Sequence, residues 1–190
     1  DVQKMAQIIR VLYLLGDRGE ASAPDSSHYR IVLDFCVKRN LPDLLEPFID
    51  PNGILRLNPS DHIDHRCLDA SRIPREKYQS FERLCNLLVD ATLTHNKADS
   101  RFISALVKFT AKLDRLESTK KMITVTLASG DVSRRGDFLS WGAKDNPNRE
   151  IVELCVKFDD VDLFNVYVGY VTGGKGVYAA SFASMLGIIG

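Results

Sequence analysis

The phrase "FCVKRNLPDLL", Phe35–Leu45, returns as "LCVKFDDVDLF", Leu154–Phe164. Cys36 aligns with Cys155, Val37 with Val156, Lys38 with Lys157, Asp43 with Asp162 and Leu44 with Leu163. Phe48 against Tyr167 and Ile49 against Val168 extend the match conservatively. A third copy runs through "ALVKFTAKLDRLESTKKMI", Ala105–Ile123. There Leu106, Thr110 and Lys112 take the places of Val32, Cys36 and Lys38, and of Ile151, Cys155 and Lys157. A chain that repeats a whole phrase is built of like units, which cannot bury their apolar faces alone and stack on one another.

The shared pattern describes a helix hairpin. The small residue (Cys36, Thr110, Cys155) lets a second helix approach the end of the first. The Lys two positions later complements the negative end of the helix dipole. Asn40, Asp114 and Asp159 fall at the turn, where a short polar side chain tolerates left-handed backbone. Asp43, Glu117 and Asp162 then open the second helix.

Helical spacing dominates elsewhere. In "DVQKMAQIIRVLYLLG" apolar residues recur at Val2, Met5, Ile8, Ile9, Val11, Leu12 and Leu15, closed by Gly16. After a polar linker, Ser27 is the expected cap of a helix over 28–39. A shorter helix over 41–49 meets Pro47, which kinks or ends it. Residues 50–74 lack periodicity and read as a long loop. Further helices are expected over 75–93, 99–111, 113–127, 134–141, 148–158, 161–171 and 177–188. The β-branched run "ITVTLAS" has no alternating partner segment and is assigned to a helix. The expected fold is all-α: a right-handed α-α superhelix of stacked antiparallel hairpins, or an irregular helical-repeat domain, forming one domain over 1–190 and read as part of a longer chain.

Lys+Arg and Asp+Glu both number 25, and this neutrality argues against non-specific nucleic-acid binding, which draws on excess positive charge. The four cysteines show no paired spacing; Cys36, Cys85 and Cys155 sit among apolar residues and read as small buried hydrophobes in a reducing compartment. No apolar run is long enough for a membrane span, so no membrane insertion is expected.

The turn phrase is similar to the pattern Y-x-x-L-I-x-x-Y/C-x-K-x-G-x-L-x-x-A of pentatricopeptide repeats, helical hairpins of about 35 residues. The segments "SHYRIVLDFCVKRNLPDLLEPFIDPNGI" and "RFISALVKFTAKLDRLESTKKMITVTLASGDV" carry the likeness, with Asn40 where the family has Gly and Phe164 where it prefers Ala. The resemblance implies single-stranded RNA or ribonucleoprotein subunits as partners and a mitochondrial location, with a cytoplasmic one as the alternative. It also implies base-facing residues two before the alignment Leu or Val, namely Arg30, Ser104 and Arg149. Ser104 is of the type the family uses, whereas Arg at the other two suits backbone contact.

Other clusters are weaker. "DHIDHRCLD" offers His62, His65 and Cys67 as zinc-type donors, but no second ligand segment accompanies them. "TGGKG", Thr172–Gly176, lacks the ending and preceding strand of a phosphate loop. Lys120, Lys121, Arg134 and Arg135 lie near successive helix ends, where a stack would align them as a basic stripe interleaved with Asp131 and Asp137. No spacing supports a nucleophile–base pair or paired carboxylates, so the expectation is a binding domain and not an enzyme, with no cofactor. The leading reading is RNA-associated; the alternative is a protein scaffold of a trafficking, membrane-coat or other multiprotein complex.

Overall fold

The computed structural model describes residues 2–17, 19, 24–53, 55–95, 98–128 and 148–171. Among these every regular element is helical. The helices are α1 (Val2–Asp17), α2 (Ser26–Lys38), α3 (Pro42–Ile49), the single turn α4 (Pro59–His62), α5 (Glu82–Thr94), α6 (Ser100–Lys112), α7 (Leu116–Ala128), α8 (Asn148–Phe158) and α9 (Val161–Val171). The helices expected over 134–141 and 177–188 lie outside the described residues.

The chain divides into two compact units. The first draws on the described parts of Asp1–Leu68 and Ser80–Ala98, the second on those of Asp69–Gln79 and Asp99–Gly190. In the first, α2 packs against α1, α3 and α4, and α5 packs on α3 and α4. Its core holds Val32, Leu33, Leu45, Phe48, Leu84 and Leu88, all fully buried. In the second, α6 packs on α7 and α8, α7 on α8 and α9, and α8 on α9.

The three copies of the phrase fold alike. Asn40, Asp114 and Asp159 have φ of 52°, 61° and 51°. Each is followed by a residue whose N–H reaches back to the small residue of the phrase: Leu41 to Cys36 O, Arg115 to Thr110 O and Asp160 to Cys155 O, all at 2.9 Å. The turn residues themselves donate to Val37 O, Ala111 O and Val156 O. This is the Schellman closure, in which two otherwise orphaned helix-end carbonyls are satisfied by the chain leaving the helix. Lys38, Lys112 and Lys157 stand in the last turn of the first helix. Asp43, Glu117 and Asp162 stand in the first turn of the second.

Burial follows the same register. Val32, Leu106 and Ile151 are fully buried, as are Phe48, Met122 and Tyr167 in the second helices. Cys36, Thr110 and Cys155 are buried at the hairpin contact, and Thr119 Oγ1 of α7 donates to Thr110 Oγ1 at 2.9 Å. The run "ITVTLA" is helical within α7.

Three local details differ from the sequence reading. Asp25, not Ser27, caps α2, its Oδ1 accepting from Ser27 N at 2.9 Å and His28 N at 3.2 Å. A carboxylate serves two N–H groups and also favours the positive end of the helix dipole, which a hydroxyl does not. The span read as one helix from Arg75 begins as a 3₁₀ segment, Arg75–Phe81, and turns α only at Glu82. In that segment Phe81 alone is buried, so no apolar face rewards α-helical spacing. Residues 50–74 contain α4 and the 3₁₀ turns His65–Cys67 and Ala70–Arg72, capped by Asn58, Asp64 and Asp69.

The turns supply a stability test. Holding an L-residue in left-handed backbone costs roughly 1–2 kcal/mol, less for Asp or Asn and nothing for Gly. Asp159→Gly is therefore expected to leave the urea midpoint unchanged or raise it, and Asp159→Val to lower stability by about 1–2 kcal/mol. Leu106→Ala, in the centre of α6, is expected to cost about 2–5 kcal/mol in the same measurement.

Candidate functional site

The second unit carries a ladder of charges between its two hairpins. Lys157 Nζ of α8 donates to Asp114 Oδ2, the turn residue of the α6–α7 hairpin. Lys120 Nζ of α7 donates at 2.8 Å to Asp160 Oδ2, beside the turn of the α8–α9 hairpin. The other oxygen of Asp160 accepts from Leu163 N at 2.8 Å and so caps α9. The Lys120 hydrogen bond, with the Leu163 N–H, holds the Asp160 carboxyl below the usual range, and Asp160 in turn raises Lys120. Lys108 Nζ and Glu150 Oε1 lie 3.8 Å apart between α6 and α8.

Beside this ladder a groove of about 220 Å³ runs between the 3₁₀ segment and the ends of α6 and α8. Arg75, Tyr78, Lys112, Asp114, Glu150 and Lys157 line it, over Ala111 and Leu154. Both signs of charge alternate along its walls, so it presents no single-sign field to a polyanion. Glu150 Oε2 is buried with no hydrogen-bond partner among the described residues.

The residues singled out as RNA contacts fall in different settings. Arg30, in the first unit, lies 3.1 Å from Asp64 Oδ2 and 4.0 Å from Asp34 Oδ2. Ser104 is buried within α6. Arg149 is exposed and donates from Nε to Glu153 Oε1 at 2.7 Å, one turn along α8. Lys120 is held by Asp160, and Lys121 stands exposed on α7. Arg134 and Arg135, like Thr172–Gly176, lie outside the described residues.

The histidine-rich stretch is absorbed by local structure. His62 packs edge-on against Tyr29 with ring centroids 5.6 Å apart. His65 Nδ1 is 3.7 Å from Asp64 Oδ1. Cys67 is buried, and burial with the neighbouring Asp34 pushes its thiol up to about 11. Among the described residues no group of three His, Cys, Asp or Glu side chains is placed to hold a metal ion. Asp64 receives Arg66 Nε at 3.0 Å, pairs with Arg30, and donates its own N–H to Asp34 Oδ1 at 2.8 Å. It thus ties this stretch to α2. All four cysteines are buried and none forms a disulfide. Burial pushes the Cys36 and Cys155 thiols up to about 11, so both are protonated near neutral pH.

Sequence reasoning named Lys157 only as a helix-ending residue and did not place Arg75, Tyr78 or Glu150 at a site. The repeat itself held the signal: aligning Lys157 one hairpin beyond Asp114 sets the cation of one unit against the turn acid of the unit before it. No protein-family model, curated protein or solved structure matches the chain. Among the described residues no helix is long and apolar enough to cross a membrane.

Acid sensitivity is expected in the first unit. Burial lowers the His62 imidazole below the ordinary histidine value, against the opposing pull of Asp61. Unfolding then takes up a proton, so its stabilising contribution is full above about pH 6.5 and declines as pH falls below it. Asp64 is held well below the usual carboxylate range, first by its Arg66 hydrogen bond. Its contribution is full above about pH 3.9 and is lost as pH falls through the folded value. Thermal melts are expected to show a falling Tm from pH 7 to pH 5 that flattens in His62→Phe, and a second fall below pH 4 that flattens in Asp64→Asn. A separate double-mutant cycle on Lys157 and Asp114 is expected to show coupling in Tm at 50 mM salt that fades at 1 M, where the screening length is about 3 Å.

Proposed function

We propose that this chain is a non-catalytic helical-repeat binding domain whose hairpins belong to an α-α superhelix, and that it serves as a protein-interaction scaffold within a multiprotein complex. The observation that carries this reading is the fate of its cations. Arg30, Lys120, Arg149, Lys157 and Arg83 each face a carboxylate of the same unit, Arg83 meeting both Asp43 and Glu46. A surface whose positive charge is matched locally releases few counterions on meeting a phosphate backbone, so it gains little affinity for nucleic acid.

Exposed apolar residues point the same way. Ile8, Val11 and Leu14 recur every third residue along α1, and Val156, Phe158 and Val161 gather around the α8–α9 turn. Apolar side chains on helices suit docking of other helices, by the same packing that joins the hairpins to one another. A trafficking or membrane-coat assembly in a reducing compartment fits the buried, protonated thiols.

A second reading, association with single-stranded RNA in a mitochondrial ribonucleoprotein, draws on the burial of Val32, Leu106 and Ile151 at the alignment positions of the pentatricopeptide-like pattern. Fluorescence polarisation of labelled single-stranded RNA against the purified chain separates the two. The scaffold reading expects no saturable binding at 50 mM salt. Saturable binding whose log-log salt slope reports several neutralised phosphates, at about −0.7 per contact for single strands, would move the assignment to RNA.

A further inference from the structure

The three copies of the hairpin phrase allow one copy to report what another lacks. Position 156 is Val in the α8–α9 hairpin and is 57% exposed. Its equivalents in the other two hairpins, Val37 and Ala111, are exposed by 1% and 4%. Two residues on, Phe158 is 43% exposed, while its equivalent Leu113 is fully buried. Val161, at the start of α9, is 60% exposed.

What covers the equivalent surface of the preceding hairpin is α8. Ala111 lines the same groove as Leu154 and Lys157, and Lys157 closes the contact by donating to Asp114 at the turn. Asp159 stands in the same left-handed turn position as Asp114 and is exposed. The α8–α9 hairpin thus repeats the apolar position, the turn geometry and the turn acid of a surface that elsewhere accepts a helix.

We propose that the end of the α8–α9 hairpin, formed by Val156, Phe158, Val161 and Asp159, is a docking surface for an amphipathic helix of a partner protein bearing a Lys or Arg, seated as α8 seats on the α6–α7 hairpin. The apolar residues supply the burial that drives association, and Asp159 sets the register by meeting the partner's cation. This rests on the scaffold reading and adds to it the location of the surface and the chemistry of the partner.

The test uses α8 itself as the probe. A fluorescent, lactam-stabilised peptide of the Asn148–Phe158 sequence, carrying Cys155→Ala to prevent oxidation, is titrated with the whole chain. The expected result is saturable binding that weakens at least tenfold with the Val156→Asp protein. A peptide carrying Lys157→Glu is expected to bind the native chain at least tenfold more weakly and to recover with the Asp159→Lys protein. Val156→Asp is at an exposed helix position and is expected to leave the melting curve unchanged, whereas Asp159→Lys puts a longer side chain in the left-handed turn and is expected to lower the Tm modestly while the chain stays folded at the assay temperature.

No saturable binding to the native chain would overturn the proposal. So would binding that neither protein substitution weakens, since the peptide would then be displacing α8 from the neighbouring hairpin. Self-association of the chain that Val156→Asp abolishes, without peptide binding, would overturn it in favour of a contact between copies. None of these outcomes depends on RNA, so failure here and failure of the scaffold reading remain distinguishable.

Discussion

A left-handed residue at each hairpin turn is the constraint on which the rest of this structure depends. With φ near +50° to +60° at Asn40, Asp114 and Asp159, the chain leaves each first helix along the same path. The following N–H then falls onto the carbonyl of Cys36, Thr110 or Cys155. That single bond decides which residue ends the helix and which opens the next. It also decides why a small side chain stands where the two helices meet. Asp and Asn occupy these positions because their short polar side chains pay the smallest strain of any residue other than glycine.

In the second unit these turns also bring charges together. Lys157, which finishes α8, comes to lie against Asp114, the turn acid of the α6–α7 hairpin. The Asp that caps α9 also receives Lys120 from α7. Individually, exposed ion pairs of this kind contribute little stability. Their effect is on register and on surface character, because they match the positive charge that a nucleic-acid surface would leave uncompensated.

The same bookkeeping explains the groove and the exposed apolar residues together. The groove alternates charge because it lies where the ends of two helices and a 3₁₀ segment converge, each bringing its own terminal charges. Val156 and Phe158 are exposed because the helix that covers their equivalents in the α6–α7 hairpin has no counterpart among the described residues packed over them. A repeat unit offers its neighbour the surface that it receives from its predecessor.

Much of this was legible in the chain. The helical periods, the hairpin phrase, the three left-handed turn residues and the acidic residues opening the second helices can all be read from sequence, because each is set by backbone geometry within a few residues. The cap of α2 was misread between Asp25 and Ser27, since neighbouring capping residues compete on small energy differences. The histidine stretch suggested ligands, but its acids are engaged in capping short turns and in holding Arg30 and Arg66. Arg30 and Arg149 carried charge in the sequence without revealing their partners, since Asp64 is distant in the chain and a helical Glu153 is only one of several possible neighbours. The sequence by itself determined the repeated hairpin, because local backbone preference and apolar spacing suffice for it. Only the tertiary structure decided which cations are neutralised, where the groove opens and which copy of Val156 remains uncovered, because these depend on side chains brought together by packing between hairpins.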